Sequence, residues 1–373
     1  MNRTTSIYLD LMRVATAITV FLGHASYARF TGGLPSVFSL KALGNDGVMV
    51  FFVLSGFVIA YVADGKEIYG RDYAVSRLAR LYSVALPAVG LTVVLDYLGS
   101  SINFSLYDGW WFQADNPLWR ISANLLFVNE LWFSSVRLFS NGPFWSLGYE
   151  FWYYAIFGAA WYLEGRWRIA AVAAAMLIAG PKILLLFPVW LIGVLTYRTV
   201  KAGKVAEGLG WALYFGSAAG YLLFHGSALP HLLLEWTGAN LGGAVAWADA
   251  KWPGETPFLA DYVVGTLAAL HLIGFAAVSH RFARLFGVIG PSIHYCAGFT
   301  FSIYLFHYPL LQFLAAATGG VAEPTLKAVL VVFGTLGVIY PLGLVTEARK
   351  AEAKRAILSV WGALRLPVPR PQE

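Results

Sequence analysis

The feature that most constrains this chain is a series of apolar runs, each about as long as a membrane is thick. A transmembrane helix needs roughly 17 to 25 mainly apolar residues to cross a hydrocarbon core of about 30 Å. Ten runs approach or reach that length, at 7–28, 47–64, 81–99, 145–163, 167–181, 183–198, 208–225, 258–279, 295–316 and 325–346. The sequence therefore predicts an all-α polytopic membrane protein, a bundle of about ten transmembrane helices.

Two regions leave room for another interpretation. The runs 167–181 and 183–198 are short, and only Pro181 and Lys182 separate the core of one from the other, so a single broken or re-entrant helix is the alternative there. The apolar stretch 118–133 contains several polar and charged residues. That stretch is expected to lie at the membrane interface or inside the bundle.

The composition supports the membrane interpretation and excludes several other classes. Hydrophobic residues make up 58% of the 373 residues and charged ones only 12%, too few for the polar surface of a soluble protein. Cys296 is the only cysteine, which excludes a disulfide framework and a cysteine metal cluster, and we expect no metal. The basic residues that give the chain its net charge of +6 lie mainly in connectors between apolar runs. This distribution therefore indicates membrane topology and contact with lipids, and we expect no binding to nucleic acid.

The distribution of positive charge predicts the orientation of the chain. Cytoplasmic loops of membrane proteins hold an excess of Lys and Arg. With ten spans and both termini in the cytoplasm, that side collects 19 of the 26 basic residues, and an odd span count or the inverted orientation fits worse. The other side holds Arg29, Lys41, Arg120, Arg137, Lys182, Lys251 and Lys327. We expect a membrane domain over 1–348 and a basic cytoplasmic tail over 349–373, a helix followed by a disordered end.

The first run carries three ionisable residues, Asp10, Arg13 and His24, which are costly inside a membrane and are therefore candidates for function. Eleven residues at about 100° and 1.5 Å each place Arg13 and His24 on one helical face, roughly 16 Å apart. One face then carries a cation near the cytoplasm and an imidazole deep in the bilayer. The alternative is structural: an arginine that pairs with Asp10, and a histidine bonded to a neighbouring helix.

A second group of candidates is basic. The string RLARLY places Arg77 and Arg80 three residues apart near the start of the third run, on one helical face. Guanidinium groups bind phosphate bidentately, so this pair suits a phosphate ligand. Anchoring of the helix at the cytoplasmic surface is the alternative.

Polar residues also occur in two aromatic-rich strings. NGPFWSLGYEFWYY places Trp145 and Glu150 near the outer start of the fourth run, where an unpaired carboxylate is costly. FTFSIYLFHYPLL places Tyr304 and His307 one turn apart, and a kink at Pro309 would hold both rings towards the bundle. An aromatic belt explains the rings of the first string but not its acid, and a structural core histidine is the alternative for the second.

Six strings, taken in order, resemble the motifs of the acyltransferase 3 family, bacterial integral-membrane acyltransferases that decorate surface polysaccharides, lipopolysaccharide and other glycosides. They are Arg13 and His24 with ten residues between them, GVMVFFVLSGF at 47–57, RLARLY at 77–82, NLLFVN at 124–129, WSLGYE at 145–150, and YLFHYP at 304–309, and Glu347 follows the last run. The resemblance covers essentially the whole chain. Each string alone is weakly specific, but their common order on a frame of ten spans makes the resemblance specific.

The resemblance implies a role for each candidate. His24 matches the histidine regarded as catalytic in the family, and Arg13, Arg77 and Arg80 match basic residues associated with acyl-CoA on the cytoplasmic side. It implies acyl-CoA, with acetyl-CoA favoured, as the donor and a saccharide or glycolipid hydroxyl as the acceptor, in a bacterial inner membrane. We expect Glu150 to orient His24 or to stabilise its protonated form. Five further residues are placed in the lining of the substrate site: Asp10, Ser55, Trp145, Tyr304 and His307.

Several features leave part of the function open. Many members of the family carry a soluble domain after the last span, whereas this sequence continues for only about 27 residues, so we expect a stand-alone membrane core. Ser83 stands where a proline commonly follows the tyrosine of RLARLY in the family. A transporter or flippase for a glycolipid or small solute is the alternative function, because ten spans with buried charges also suit transport. A lipid or peptide amine as acceptor, the acyl group and the oligomeric state stay open.

Overall fold

The computed structural model describes residues 1–32, 43–249 and 258–363, and within these ranges the regular secondary structure is helical. The helices are α1 Arg3–Ala25, α2 Ala28–Thr31, α3 Leu43–Gly65, α4 Gly70–Ile102, α5 Pro117–Leu125, α6 Trp145–Tyr162, α7 Gly165–Ala202, α8 Glu207–Gly226, α9 Leu229–Asp249, α10 Phe258–Val278, α11 Ala283–Ala297, α12 Thr300–Ala317, α13 Pro324–Val345 and α14 Lys350–Ala363. Short 3-10 turns, among them Ser279–Phe282 and Glu347–Arg349, join some of them.

Six helical stretches of the described chain are long and apolar enough to cross a membrane. They are Arg3–Ala25, Leu43–Gly65, Gly70–Ile102, Gly165–Ala202, Phe258–Ala297 and Pro324–Ser359. Several of these stretches bury fewer than half of the residues in their most apolar window. Apolar side chains therefore remain on the outer surface, as a lipid environment requires. The prediction of an all-α polytopic membrane protein is confirmed.

Contacts between connectors divide the bundle into two ends, which we call the N-terminal end and the far end. At the N-terminal end, where α1 begins, Asn2 Nδ2 donates to Ser279 Oγ at 2.9 Å, and Tyr162 OH donates to the Glu67 carbonyl at 2.6 Å. Two further pairs meet at this end, Arg281 with Glu207 and Lys354 with Ser76. The connectors predicted to be cytoplasmic therefore gather at one end.

The far end collects the connectors predicted to lie on the other side of the membrane. Gln312 Nε2, on α12, donates to the Leu106 carbonyl at 2.5 Å, and Arg120 Nη1 donates to the Arg137 carbonyl at 3.1 Å. Arg120 is buried on α5, whereas its neighbour Leu118 is 80% exposed. The stretch 118–133 thus combines buried polar and exposed apolar residues, as expected of a segment at the interface. Lys41 and Lys251, assigned to the same side, lie outside the described residues.

Helix α7 contains the break that the sequence left open. At Gly180 the backbone leaves the helical region, with φ 79° and ψ 173°, and the helix resumes at the next residue. Gly180 lies against Trp132 at the far end, whereas Lys201, near the end of α7, pairs with Asp64 at the N-terminal end. Because α7 also starts next to the Tyr162 contact at the N-terminal end, its two halves run in opposite directions. Both predicted runs, 167–181 and 183–198, are therefore present as separate segments.

With the halves of α7 counted separately, ten segments of the described chain run between the two ends: α1, α3, α4, α6, α7 twice, α8, α10, α12 and α13. Helix α9 was not expected from the sequence, and α11 lies along the first half of α1, where Gly290 contacts Ile7. The predicted tail helix is α14, which folds back against α4. The predicted disordered end, 364–373, lies outside the described residues.

Two glycines bring the backbones of α3 and α7 into contact at the centre of the bundle. A Cβ added to Gly56 would lie 2.0 Å from the Trp190 carbonyl oxygen, and one added to Gly193 would lie 2.1 Å from the Val53 carbonyl oxygen. Small residues permit such close approach between membrane helices. The contact places Trp190 Nε1 3.2 Å from Ser55 Oγ, so Ser55 is held in a fixed position beside α6.

Candidate active site

A cavity lies between α1, α3, α4, α6 and α12. Its wall contains six of the residues that the sequence singled out: Arg13, Ser55, Arg77, Arg80, Glu150 and Tyr304. Five helices contribute them, from positions up to 291 residues apart. The structure therefore brings most of the predicted site residues to one place.

The arginines of the cavity combine burial with unused hydrogen-bond donors. Arg77 Nη2 donates to Glu67 Oε1 at 2.9 Å, and the guanidinium of Arg80 lies over the ring of Phe301 at 5.7 Å. The Nε atoms of Arg77 and Arg80 are buried and have no hydrogen-bond partner within the described part of the chain. Buried donors without partners are costly, so this wall is suited to an anion that supplies acceptor oxygens.

Glu150 is held by hydroxyl groups on the same cavity wall. Ser55 Oγ donates to Glu150 Oε1 at 2.9 Å, and Tyr154 OH donates to the same oxygen from one turn further along α6. The guanidinium of Arg77 lies 5.9 Å from the centre of the Tyr154 ring. The carboxylate thus faces the arginines across the cavity and partly balances their charge.

His24 and His307 form a hydrogen-bonded pair beyond this cavity, towards the far end. His24 Nδ1 and His307 Nε2 are 2.9 Å apart, and His307 Nδ1 lies 2.8 Å from the Ile303 carbonyl oxygen. A carbonyl only accepts, so His307 Nδ1 donates to it, and Nε2 of a neutral His307 accepts from His24 Nδ1. This network leaves Nε2 of His24 as an unprotonated nitrogen, the form that a general base requires.

The partner expected for His24 is corrected by this arrangement. Glu150 was expected to orient His24, but its Oε1 accepts hydrogen bonds from Ser55 and Tyr154, while His24 bonds to His307. The physical reason is the order of helices in the bundle: α12 packs beside α1, and α6 packs beside α3, α4 and α7. His307, which the sequence placed in the lining of the substrate site, is therefore the residue that orients His24.

Tyr304 connects the cavity to the histidine pair. Its hydroxyl lies 2.7 Å from Ser146 Oγ and donates to the Pro143 carbonyl at 3.1 Å. Its ring, which lines the cavity, is centred 6.3 Å from the ring of His307, one turn further along α12. Arginines, Tyr304 and the histidine pair thus follow one another from the N-terminal end towards the far end.

A second cavity opens at the N-terminal end and shares Arg13, Arg80 and Phe301 with the first. Asp10 lines this second cavity, where it lies 3.6 Å from Arg13 Nη1 and 2.8 Å from His294 Nδ1. The two cavities together reach from the N-terminal surface to Tyr304. Arg13, Arg80 and Phe301 border both of them, and the cations lie towards the N-terminal end.

The comparison with known proteins decides the family. A family model described as an acyltransferase domain matches residues 6–344, nearly the whole chain. The chain belongs to the acyltransferase 3 family. It is 25% identical over 322 residues to the exopolysaccharide production protein ExoZ of Rhizobium meliloti (strain 1021), which covers 79% of this chain and 86% of that protein. It is 28% identical over 189 residues to the acyltransferase MdmB of Streptomyces mycarofaciens, 48% of this chain and 46% of that protein. No solved structure matches it significantly.

This acyltransferase has site residues that sequence reasoning did not select. Lys350 lines the second cavity beside Arg13. Glu347, which the sequence matched to the family pattern without assigning it to the site, lines the same cavity, and its Oε2 accepts from the Ser302 backbone N–H at 2.9 Å. Tyr154, the partner of Glu150, was also missed. A basic residue directly after the last span was the only available signal for Lys350, because its position depends on how α14 folds back. Trp145, which was selected, packs beside the cavity at the start of α6, against Phe52 and Tyr149.

Proposed function

We propose that this acyltransferase moves an acyl group, acetyl in the simplest case, from cytoplasmic acyl-CoA to a hydroxyl of a saccharide or glycolipid. Exopolysaccharide, lipopolysaccharide and O-antigen are acceptors of this kind. One observation carries the proposal: arginines line two adjoining cavities towards the N-terminal end, and His24, beyond the first cavity, is hydrogen-bonded so that its Nε2 can accept a proton. The arginines suit an anionic donor, and the imidazole suits a neutral hydroxyl that must lose its proton to act as the nucleophile.

The N-terminal end of the two cavities fits the phosphates of acyl-CoA. Arg13, Arg80 and Lys350 line the entrance cavity, and the unpartnered Nε of Arg80 supplies a donor for a phosphate oxygen. Eleven residues of α1 separate Arg13 from His24, a rise of roughly 16 Å. An extended pantetheine arm is long enough to cover such a distance. The thioester would then lie near His24 while the phosphates stay at the entrance.

The transfer step needs one base and returns its proton. Nε2 of His24 takes the proton of the acceptor hydroxyl while that oxygen attacks the thioester carbonyl carbon. A carbon–oxygen bond forms, the carbon–sulfur bond breaks, and the imidazolium gives its proton to the leaving thiolate of CoA. His307 holds His24 in the required tautomer, and Glu150, with Ser55 and Tyr154, is proposed to fix the charge balance in the first cavity.

A saccharide acceptor is supported by the relatives. The protein ExoZ, which matches 79% of this chain, is named for exopolysaccharide production. We infer that the acceptor reaches His24 from the far end, because donor-binding groups fill the N-terminal end. In this arrangement the protein lies in a bacterial inner membrane with both termini in the cytoplasm.

Mass spectrometry of surface glycans tests the proposed function directly. Glycans from cells with the native gene should carry an acyl mass that is absent from cells without the gene and from cells expressing a His24→Ala variant. An acyl mass that persists without the gene would refute a role in glycan acylation. The mass difference also identifies the acyl group.

The orientation predicts which introduced cysteines are accessible from each side. In a Cys296→Ser background, a cysteine at the exposed Lys204 should react with a membrane-impermeant maleimide only after the cells are opened. A cysteine at the exposed Ala322, in the connector after α12, should react on intact cells. These positions lie at opposite ends of the bundle. The reverse labelling pattern would place the arginine entrance outside the cytoplasm and contradict the donor assignment.

Replacing His307 should test its role as a positioning residue. His307→Phe removes the acceptor for His24 Nδ1 and is expected to lower kcat by about tenfold. Loss of a hydrogen-bond partner that orients a metal-binding histidine typically costs about 10- to 100-fold, and we expect the lower end of that range here. His307→Gln should recover much of the rate, because its amide oxygen accepts the same hydrogen bond. Both rates are measured with purified protein and a fixed donor. Equal losses for Phe and Gln, or a change confined to the KM for acyl-CoA, would contradict this role.

A further inference from the structure

Two arginines at the far end, Arg29 and Arg137, lie beside the histidine pair and take no part in the proposed transfer step. Arg29, on α2, donates through Nη2 to Tyr308 OH. The rings of Tyr308 and Tyr27 are centred 5.1 Å and 5.5 Å from the ring of His24. The Arg29 guanidinium lies 4.9 Å from the centre of the Tyr27 ring. One aromatic ring therefore separates this guanidinium from the proposed base.

Aromatic rings surround the Arg29 guanidinium, and one ring lies beside that of Arg137. The Arg29 guanidinium lies 4.6 Å from the ring centre of Phe30 and 4.7 Å from that of Trp111, and the Arg137 guanidinium lies 5.3 Å from that of Trp110. Arg137 Nη1 also donates to the Trp111 carbonyl at 3.2 Å. Trp110 is 62% exposed, so much of its surface is free to receive a ligand. Flat apolar rings of this kind pack against the C–H faces of sugars, while guanidinium groups bind their anionic substituents.

The charges of this region are not balanced within the described chain. The nearby Asp115 pairs with Arg120, whose Nη2 lies 2.5 Å from Asp115 Oδ1, and no described carboxylate pairs with Arg29 or Arg137. Arg29 Nε is buried without a hydrogen-bond partner among the described residues. Burial lowers the pKa of Arg29, Tyr308 and Tyr27 partly oppose this effect, and the neighbouring charge of Arg137 adds to it. An anion bound here would offset the repulsion between the two guanidinium groups and accept from the unused donor.

We propose that Arg29, Arg137, Trp110 and Trp111 form an acceptor subsite for an anionic saccharide. Its ligand is a glycan with a carboxylate or phosphate on the sugar to be acylated or on its neighbour. The anion binds the arginines, a sugar ring packs on Trp110, and the hydroxyl to be acylated approaches His24. This inference rests on the proposed function, because it specifies the acceptor of that reaction.

The experiment compares three probes on the full-length protein in nanodiscs, without acyl-CoA. Tetragalacturonate carries a carboxylate on each sugar, cellotetraose is a neutral oligosaccharide of the same length, and undecaprenyl diphosphate carries phosphates and no sugar. Binding is measured by microscale thermophoresis. We expect at least one anionic probe to bind about tenfold or more tightly than cellotetraose, as one charge-assisted hydrogen bond provides. The anionic probe that binds identifies whether a sugar carboxylate or a carrier phosphate is recognised.

Variants connect any such preference to the subsite. Arg29→Gln and Arg137→Gln should each remove most of the preference for the anionic probe. Arg284→Gln removes the same charge from the exposed N-terminal end and should leave the preference unchanged. Trp110→Ala should weaken the binding of the oligosaccharides without abolishing the preference for the charged probe. Equal affinity for charged and neutral probes, no binding of any probe, or an equal effect of Arg284→Gln would overturn the proposal.

The outcomes also separate this inference from the proposed function. Because binding is measured without a donor, an arginine-dependent preference in a protein that acylates no glycan would refute the proposed function and keep the subsite. Acylation of an anionic glycan at the same rate by the native protein and by Arg29→Gln would refute the subsite and keep the proposed function.

Discussion

Replacing His24 with alanine is expected to reduce acyl transfer by about 10² to 10⁴, the range typical of a lost general base. The reason lies in the hydrogen-bond chain from the Ile303 carbonyl through His307 to His24, which leaves Nε2 of His24 free to take a proton. Transfer is measured with purified protein, acyl-CoA and an acceptor glycan. The affinity for CoA should stay within about twofold of the native value, because Arg13, at the proposed phosphate site, lies roughly 16 Å along α1 from His24.

A matched variant separates this effect from a general loss of imidazole. His280 is exposed at the N-terminal end near Glu207, so His280→Ala should retain native transfer. Size-exclusion chromatography and CoA binding show whether each variant is folded. A folded His24→Ala protein with near-native transfer would exclude His24 as the base.

Replacing Arg80 with alanine should weaken the affinity for acyl-CoA by roughly 10- to 100-fold. Arg80 lines both cavities, and a charge-assisted hydrogen bond to phosphate is worth about 1.5 to 3 kcal/mol. The same change at Arg77 should also weaken binding, but it removes the partner of the buried Glu67 and so affects stability as well. Arg80 is therefore the more informative position. Isothermal titration calorimetry with CoA measures the effect.

Arg166 provides the control, because it is an exposed cation in the first turn of α7 at the same end of the bundle. Arg166→Ala should change the affinity by less than about twofold, since its charge is not part of either cavity wall. Equal losses at Arg80 and Arg166 would indicate nonspecific attraction of the anion. No loss at Arg80 would call for the Arg13 and Arg80 double variant, because the two guanidinium groups share both cavities. A double variant with native affinity would remove the arginine cluster from the donor site.

The parts of the fold that the sequence predicts well are local. An apolar run of sufficient length is helical in a membrane whatever its neighbours are, so the boundaries of α3, α6 and α10 follow the predicted runs closely. The common face of Arg77 and Arg80 also follows from helical geometry alone, and both line the same cavity.

The parts that could not be predicted depend on which helices are neighbours. His24 and His307 are separated by 283 residues, and nothing in either string indicates that their rings meet. Glu150 was assigned to His24 because both are ionisable and intramembrane, yet α6 lies where Ser55 and Tyr154 satisfy the carboxylate. Lys350 reaches the entrance only because α14 returns to α4. Single-sequence patterns contain no information about these contacts.

The backbone reversal at Gly180 determines the direction in which every later segment of the chain crosses the membrane. A Cβ at this position would lie 2.7 Å from the Trp132 Cα, and the positive φ also excludes most other residues, so the turn requires glycine. If the two halves of α7 formed one straight helix, every later segment would cross the membrane in the opposite direction. His307 would then be delivered to the side opposite His24, and Lys350 to the side opposite Arg13. One residue without a side chain thus decides whether the two halves of the active site are assembled on matching sides of the membrane.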